Sequence, residues 1–260
     1  MRLSIDARLD YSLAQPSDLL FALEVAQTPD QKLVSDLLTV AGVGALRPVT
    51  ADDGVGRRTW ARGAGRITAT YTATVDVERP VTILGGLVAD DIKSLPDSVV
   101  TYLFPSRYCE ADRFQNAVRR DFGNLSGGDM VAAMVNWVRG HLDYVPGSSD
   151  AATTAADTFL SRSGVCRDYA HLLIAMARAA DIPARMVAAY AWALQPEDFH
   201  AVVEVWLGGA WRLVDPTGLA PVEGIARIGV GRDATDISFL TIFGQAELIA
   251  QSVSVVKLDA

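Results

Sequence analysis

The chain has 260 residues, half of them hydrophobic, with 23 basic against 31 acidic side chains and a formal net charge of -8. That length fills one large domain or two modest ones without disulfide or metal staples. An acidic balance with no basic run excludes an ordinary nucleic-acid-binding protein, and no window approaches the 18 consecutive apolar residues of a membrane span.

The N-terminus, MRLSIDARLDYSLAQ, lacks the apolar run of a secretory signal. The two cysteines, Cys109 and Cys166, are therefore expected as reduced thiols of a cytoplasmic protein. Leu3, Ile5, Ala7, Leu9 and Tyr11 alternate with polar residues, the period of a half-buried strand. Further strands are expected over 19–26 and 33–40, separated by the Pro29-Asp30 turn signal, and over the β-branched run 66–75. Gly54, Gly56, Gly63 and Gly65 punctuate this region, which reads as an antiparallel β domain over residues 1–96.

Residues 97–260 read as a second, mixed domain. Helical spacing runs from 107 to 122 and from 127 to 142, with Met130, Met134 and Trp137 on one stripe. Ser126 before Asp129, and Thr154 before Asp157, resemble capping boxes. Residues 144–149 form a loop, and a helix follows Gly164 and ends near Ala180. Strands are expected at 185–191, 199–207 and 210–215, the last two joined by a Gly208-Gly209 hairpin turn.

Cys166 falls in the first turn of its helix. Free amides and the positive dipole end favour a thiolate there, and Arg167 adds a positive charge. Gly164 permits a tight backbone approach or a positive φ. Position alone does not separate a nucleophile from a small buried hydrophobe on the face with Ala170, Leu173 and Ala177.

The three histidines decide between them. His171 lies roughly 140° around the helix from Cys166 and cannot face it. His141 ends a helix, where a cation suits the dipole. His200 opens a strand, and a Gly208-Gly209 turn pairs 200 with 217, making Asp215 its diagonal neighbour on the same face, roughly 7–8 Å away by backbone. The chain thus carries a nucleophile, a base and an orienting carboxylate in the order Cys166, His200, Asp215.

The segments Gly164-Val165-Cys166-Arg167-Asp168-Tyr169-Ala170-His171, Asp181-Ile182-Pro183-Ala184-Arg185, Phe199-His200-Ala201 and Trp211-Arg212-Leu213-Val214-Asp215-Pro216-Thr217 resemble the bacterial transglutaminase-like superfamily, many of whose members are described as cysteine proteases. The stretches 105–109 and 230–233 resemble its flanking motifs. The resemblance implies an α+β protein: an N-terminal antiparallel β domain, then a papain-like catalytic domain over 97–260 with its helix packed on an antiparallel sheet.

It also implies a cysteine peptidase or amidase acting on a peptide or protein through a thioester. The Cys166 N–H would be the first oxyanion donor, and Tyr144 is a candidate for the second, unless it is only a packed aromatic. Amine transfer to glutamine and arylamine N-acetyl transfer are alternatives on the same residues, although no CoA-binding feature is present. A binding module without turnover would have no need of all three residues.

Other residues have structural expectations: Asp168 at the helix start, Trp137 in a core, Trp206 and Trp211 packing the sheet, Cys109 as a buried thiol, and Asp233 and Asp236 forming a turn. No His/Cys ligand cluster or EF-hand loop is present, so neither metal nor cofactor is expected.

Overall fold

The computed structural model describes residues 1–258 and contains two main antiparallel sheets. The first is built on β1 (Arg2–Phe21), β2 (Gln31–Val43), β3 (Arg47–Thr50) and β4 (Arg57–Val77). β1 lies along β4 with Leu3 opposite Val75 and Ala7 opposite Tyr71, and β2 and β3 cover the other edge of β4. The alternation expected of β1 is present: Leu3, Ile5, Ala7 and Leu9 are buried, and Arg2, Asp6 and Arg8 are exposed.

Two expected strands become one in β1. The segment that begins at Leu19 continues β1 across an irregularity between Leu13 and Ser17, and stops at Phe21. Opposite that irregularity lie Gly63 and Gly65. Gly65 has φ +67°, and a Cβ on Gly63 would stand 2.8 Å from the Gly42 carbonyl oxygen, so the glycines carry the strand through a bulge. β4 is accordingly longer than the 66–75 expected.

The helices are α1 (Asp97–Val100), α2 (Gln115–Phe122), α3 (Gly127–His141), α4 (Ala155–Ser161) and α5 (Cys166–Ala179). The helix expected from residue 107 begins only at Gln115. The preceding backbone has partners elsewhere: the Tyr108 N–H donates to Asp233, its carbonyl accepts from Ala155 N–H, and Ser106 and Cys109 bond each other reciprocally. Thr154 and Asp157 form a complete capping box on α4. Ser126 is the N-cap of α3 but makes no side-chain cap bond, and Asp129 accepts from the Gly86 N–H instead.

The second sheet has the order β10-β7-β8-β9, from β7 (Ala184–Ala191), β8 (His200–Leu207), β9 (Ala210–Val214) and β10 (Ile225–Gly231). Gly208 and Gly209 turn with φ +59° and +70°, and the register places Leu207 opposite Ala210 and Val203 opposite Val214, as expected. Trp206 faces Trp211 across the hairpin with ring centroids 5.3 Å apart. α5 packs on β8 and is buried on all sides from Asp168 to Arg178. The chain is thus α+β, with a helix on an antiparallel sheet.

Beyond residue 239 the chain returns to its first sheet. β11 (Leu240–Phe243) pairs with residues 18–21 of β1, and β12 (Ala246–Leu258) with residues 2–13. A boundary at residue 96 therefore divides β1–β4 from the helices and the second sheet, but it also cuts these last two strands off from the sheet they complete.

The sheets share one core. Tyr71 of β4 stacks on Tyr190 of β7 at 6.1 Å, and the Tyr190 hydroxyl donates to the Leu23 carbonyl at 2.8 Å. A buried ionic cluster also joins them. Arg185 and Arg227 both donate to Glu204, and they reach Asp53 and Asp30 respectively on the β1–β4 side.

Candidate active site

The site begins with how α5 starts. Val165 is its N-cap and has no side chain able to accept a backbone N–H. Asp168 supplies that function, accepting from the Val165 N–H at 2.8 Å, from Ser149 Oγ at 2.5 Å and from Arg167. Its carboxylate is fully buried. Gly164 lets it in: a Cβ there would lie 2.6 Å from the Asp168 Cβ, and its φ is not in the left-handed region. Tight approach, not positive φ, is why a glycine stands before the cysteine.

A two-residue parallel bridge fixes the next neighbour. β5 (Asp143–Tyr144) pairs with β6 (Ser163–Gly164), and the Val145 N–H donates to the Gly164 carbonyl at 3.0 Å. This bridge replaces the start of the loop expected at 144–149 and sets Tyr144 beside the first turn of α5. The Tyr144 ring centroid lies 5.9 Å from that of Tyr169, and the phenol is held protonated first by burial and then by the neighbouring Cys166. The two oxyanion candidates are thereby brought to one place. Cys166 is half-buried.

His200 and Asp215 meet as the hairpin register requires. His200 Nε2 and Asp215 Oδ2 are 3.1 Å apart, and both side chains are buried. Three more donors converge on the carboxylate: Thr217 N–H at 2.8 Å and Thr217 Oγ1 at 2.7 Å to Oδ1, and Ala220 N–H at 3.1 Å to Oδ2. Burial would raise the Asp215 pKa, but the bonds from His200 and Thr217 outweigh it and hold it low. Arg139 Nη2 donates to the Asp215 carbonyl at 2.5 Å and fixes the turn from behind.

With Nε2 engaged, His200 Nδ1 is buried and has no bonded partner among the described residues. Burial disfavours the imidazolium, but the bond to Asp215 and the neighbouring Cys166 overcome it and lift the pKa to about 10. Cys166 is thus a neighbour of the imidazole, whose Nδ1 is the ring nitrogen left open. The arrangement is chemically that of a thiol beside a base whose far nitrogen is fixed by a carboxylate.

The remaining residues take the structural places expected of them. His171 is buried, accepts from the Ala234 N–H at 3.2 Å and stacks on Tyr108; burial lowers its pKa to about 4. His141 stacks on Trp137 at the exposed end of α3. Burial pushes the Cys109 thiol up to about 12. Asp233 accepts from the Tyr108 and Thr235 amides, and Asp236 pairs with Arg232. Among the described residues no three His, Cys, Asp or Glu side chains are grouped to hold a metal, and no helix is long and apolar enough to cross a membrane.

Thr217 and Arg139 escaped the sequence reading. Asp-Pro-Thr after a strand is an Asx-turn pattern that points to Thr217, whereas nothing local marks Arg139, 76 residues away from the carbonyl it holds.

A profile of the transglutaminase-like superfamily matches residues 113–216, a span that includes Cys166, His200 and Asp215. A crystal structure from Cytophaga hutchinsonii, described as a "putative cysteine protease", is 33% identical and superposes with a TM-score of 0.95, covering 100% of this chain and 91% of that one. The uncharacterized protein ML0607 of Mycobacterium leprae is 29% identical over 187 residues, and the match spans 66% of each chain, just under two thirds of that relative. The periplasmic domain of TgpA from Pseudomonas aeruginosa is 19% identical, with a TM-score of 0.44 over 85% of this chain and 91% of that domain.

Proposed function

The chain belongs to the transglutaminase-like superfamily, and from that premise we propose that it is a thiol peptidase or amidase. Cys166 is the nucleophile, His200 the general base and acid, and Asp215 the group that orients the imidazole. The observation that carries this reading is the state of His200: Nε2 is held by Asp215 at 3.1 Å, Nδ1 is left unbonded, and Cys166 is a neighbour of the ring.

His200, protonated at neutral pH by its raised pKa, holds the proton of Cys166 on Nδ1, and Cys166 Sγ attacks the amide carbon. The carbonyl oxygen becomes the oxyanion, received by the Cys166 N–H and the Tyr144 hydroxyl. Collapse breaks the C–N bond, and His200 returns the proton to the leaving amine, giving a thioester and a free amine. Water then attacks the thioester as Nδ1 takes a proton from it. Collapse releases the carboxylic acid, and the thiol is restored. Asp215 remains ionised throughout and keeps Nδ1, not Nε2, turned to the sulfur.

Hydrolysis of a peptide pool by the purified protein tests this reading. Turnover by the wild type that is lost in Cys166→Ala and in His200→Ala supports it. Equal turnover by Cys166→Ala sinks it. Addition of a primary amine distinguishes the fate of the thioester: an amide product that displaces the acid would assign acyl transfer to the same three residues.

A further inference from the structure

The connection from Trp192 to Phe199 runs from β7 into His200, and β12 anchors it at three points. Glu197 Oε1 accepts from Ser254 Oγ at 3.2 Å and from the Val255 N–H at 3.1 Å. Gln251 Nε2 donates to Asp198 Oδ1 at 2.8 Å, and Lys257 Nζ lies 5.5 Å over the Trp192 ring. The Phe199 N–H also donates to Asp198 Oδ1, at 2.8 Å.

Both bonds to Asp198 use the same oxygen. Its Oδ2 accepts no hydrogen bond, and no Lys or Arg pairs with the carboxylate, among the described residues. Asp198 is nonetheless exposed and held in place two residues before the base. Its bond from the Phe199 N–H fixes it at the entry to β8, whose first residue is His200; burial first, then Cys166, hold the Tyr144 proton, and the Asp198 charge acts in the same direction.

Several charged groups around the site are engaged. Arg167 is turned to Asp168, Ser149 and the Asp150 carbonyl. Arg139 holds the Asp215 carbonyl, and Glu197 holds β12. Asp198 is an anchored carboxylate with one oxygen left to answer a charge brought in from outside.

We propose that Asp198 is a specificity-determining residue whose free Oδ2 receives a cationic group of the substrate, a lysine or arginine side chain next to the scissile amide. This rests on the thiol-hydrolase reading, since it places that group beside the bond Cys166 attacks. A fixed carboxylate with one oxygen already bonded is preorganised, so an incoming ammonium or guanidinium meets little ordering cost.

The test has two arms, one of which needs no turnover. In the first, Cys166 is modified with a cationic and an anionic methanethiosulfonate, and the ratio of the two rates is read in wild type, Asp198→Asn and Asp198→Lys. We expect Asp198→Asn to lower the cation-to-anion ratio about threefold, and Asp198→Lys to lower it further, both effects shrinking in high salt. A ratio unchanged by Asp198→Asn overturns the proposal. In the second arm, peptides differing only in Lys, Arg, norleucine or Glu beside the scissile amide are compared by kcat/KM. A preference of about fivefold for Lys and Arg over norleucine, abolished in Asp198→Asn, supports it. Cleavage of all four at equal rates overturns it. Failure to cleave any of them, with the reagent ratio still dependent on Asp198, sinks the hydrolase reading and leaves the cation-binding carboxylate standing.

Discussion

His200 carries a raised pKa of about 10 because Asp215 and Cys166 outweigh its burial. Its stabilising contribution is therefore complete below the unfolded-state value of about 6.5 and is lost as pH rises through about 10. Urea unfolding of wild type against His200→Gln should show a stability difference that shrinks steadily over that interval; a difference that grows with pH would contradict the assignment. Asp215→Asn keeps the shape and removes the charge, so the alkaline limit of activity should move down from near pH 10 towards the ordinary histidine range. A limit that stays put would mean Asp215 does not hold the His200 proton. The second thiol provides a control: with its pKa pushed to about 12 by complete burial, Cys109 should remain unmodified at neutral pH in the native protein, as read by mass spectrometry of labelled peptides.

At the scale of elements, the start of α5 depends on Gly164 and Asp168. Gly164→Ala would drive a methyl group into the Asp168 side chain at 2.6 Å, and should cost about 1–3 kcal/mol in denaturant unfolding as the cap is displaced. Asp168→Ala removes the acceptor of the Val165 N–H and should cost about 1–2 kcal/mol. Loss of less than a few tenths in both would mean the cap is not what holds the first turn.

The elements that were legible in the sequence are the locally determined ones. Gly208-Gly209 can take the two positive φ values of a tight hairpin, and that turn sets the register which brings His200 to Asp215. Thr154 and Asp157 close their own capping box three residues apart. Non-local competition erased others. Ser126 and Asp129 have the same spacing, but the Gly86 amide claims Asp129. The helix pattern from residue 107 yields to bonds from Asp233 and Ala155. β12 gave no hint of its partner, since pairing Arg2 with Leu258 closes nearly the whole chain. Nothing local marks Asp198, whose anchor Gln251 comes from that same distant strand.

For the whole molecule, the two sheets are coupled by the Tyr71–Tyr190 stack and by the Arg185–Glu204–Arg227 cluster. Glu204 is buried between two arginines, so Glu204→Ala leaves two buried guanidinium groups short of a partner and should cost about 3–5 kcal/mol. The loss should appear as a lower midpoint of one cooperative transition. Two separated transitions in the wild type, only one of them moved by the substitution, would show that the sheets unfold independently.

The central claim is that Cys166 works as a nucleophile because His200, held by Asp215, is its base. The most direct measurement is the rate of Cys166 alkylation by iodoacetamide at pH 6, where an ordinary thiol reacts slowly. Wild type should react rapidly, His200→Ala should slow the reaction about tenfold or more, and Asp215→Asn should fall between them. Slow modification of the wild type, at a rate that His200→Ala leaves unchanged, would contradict the account.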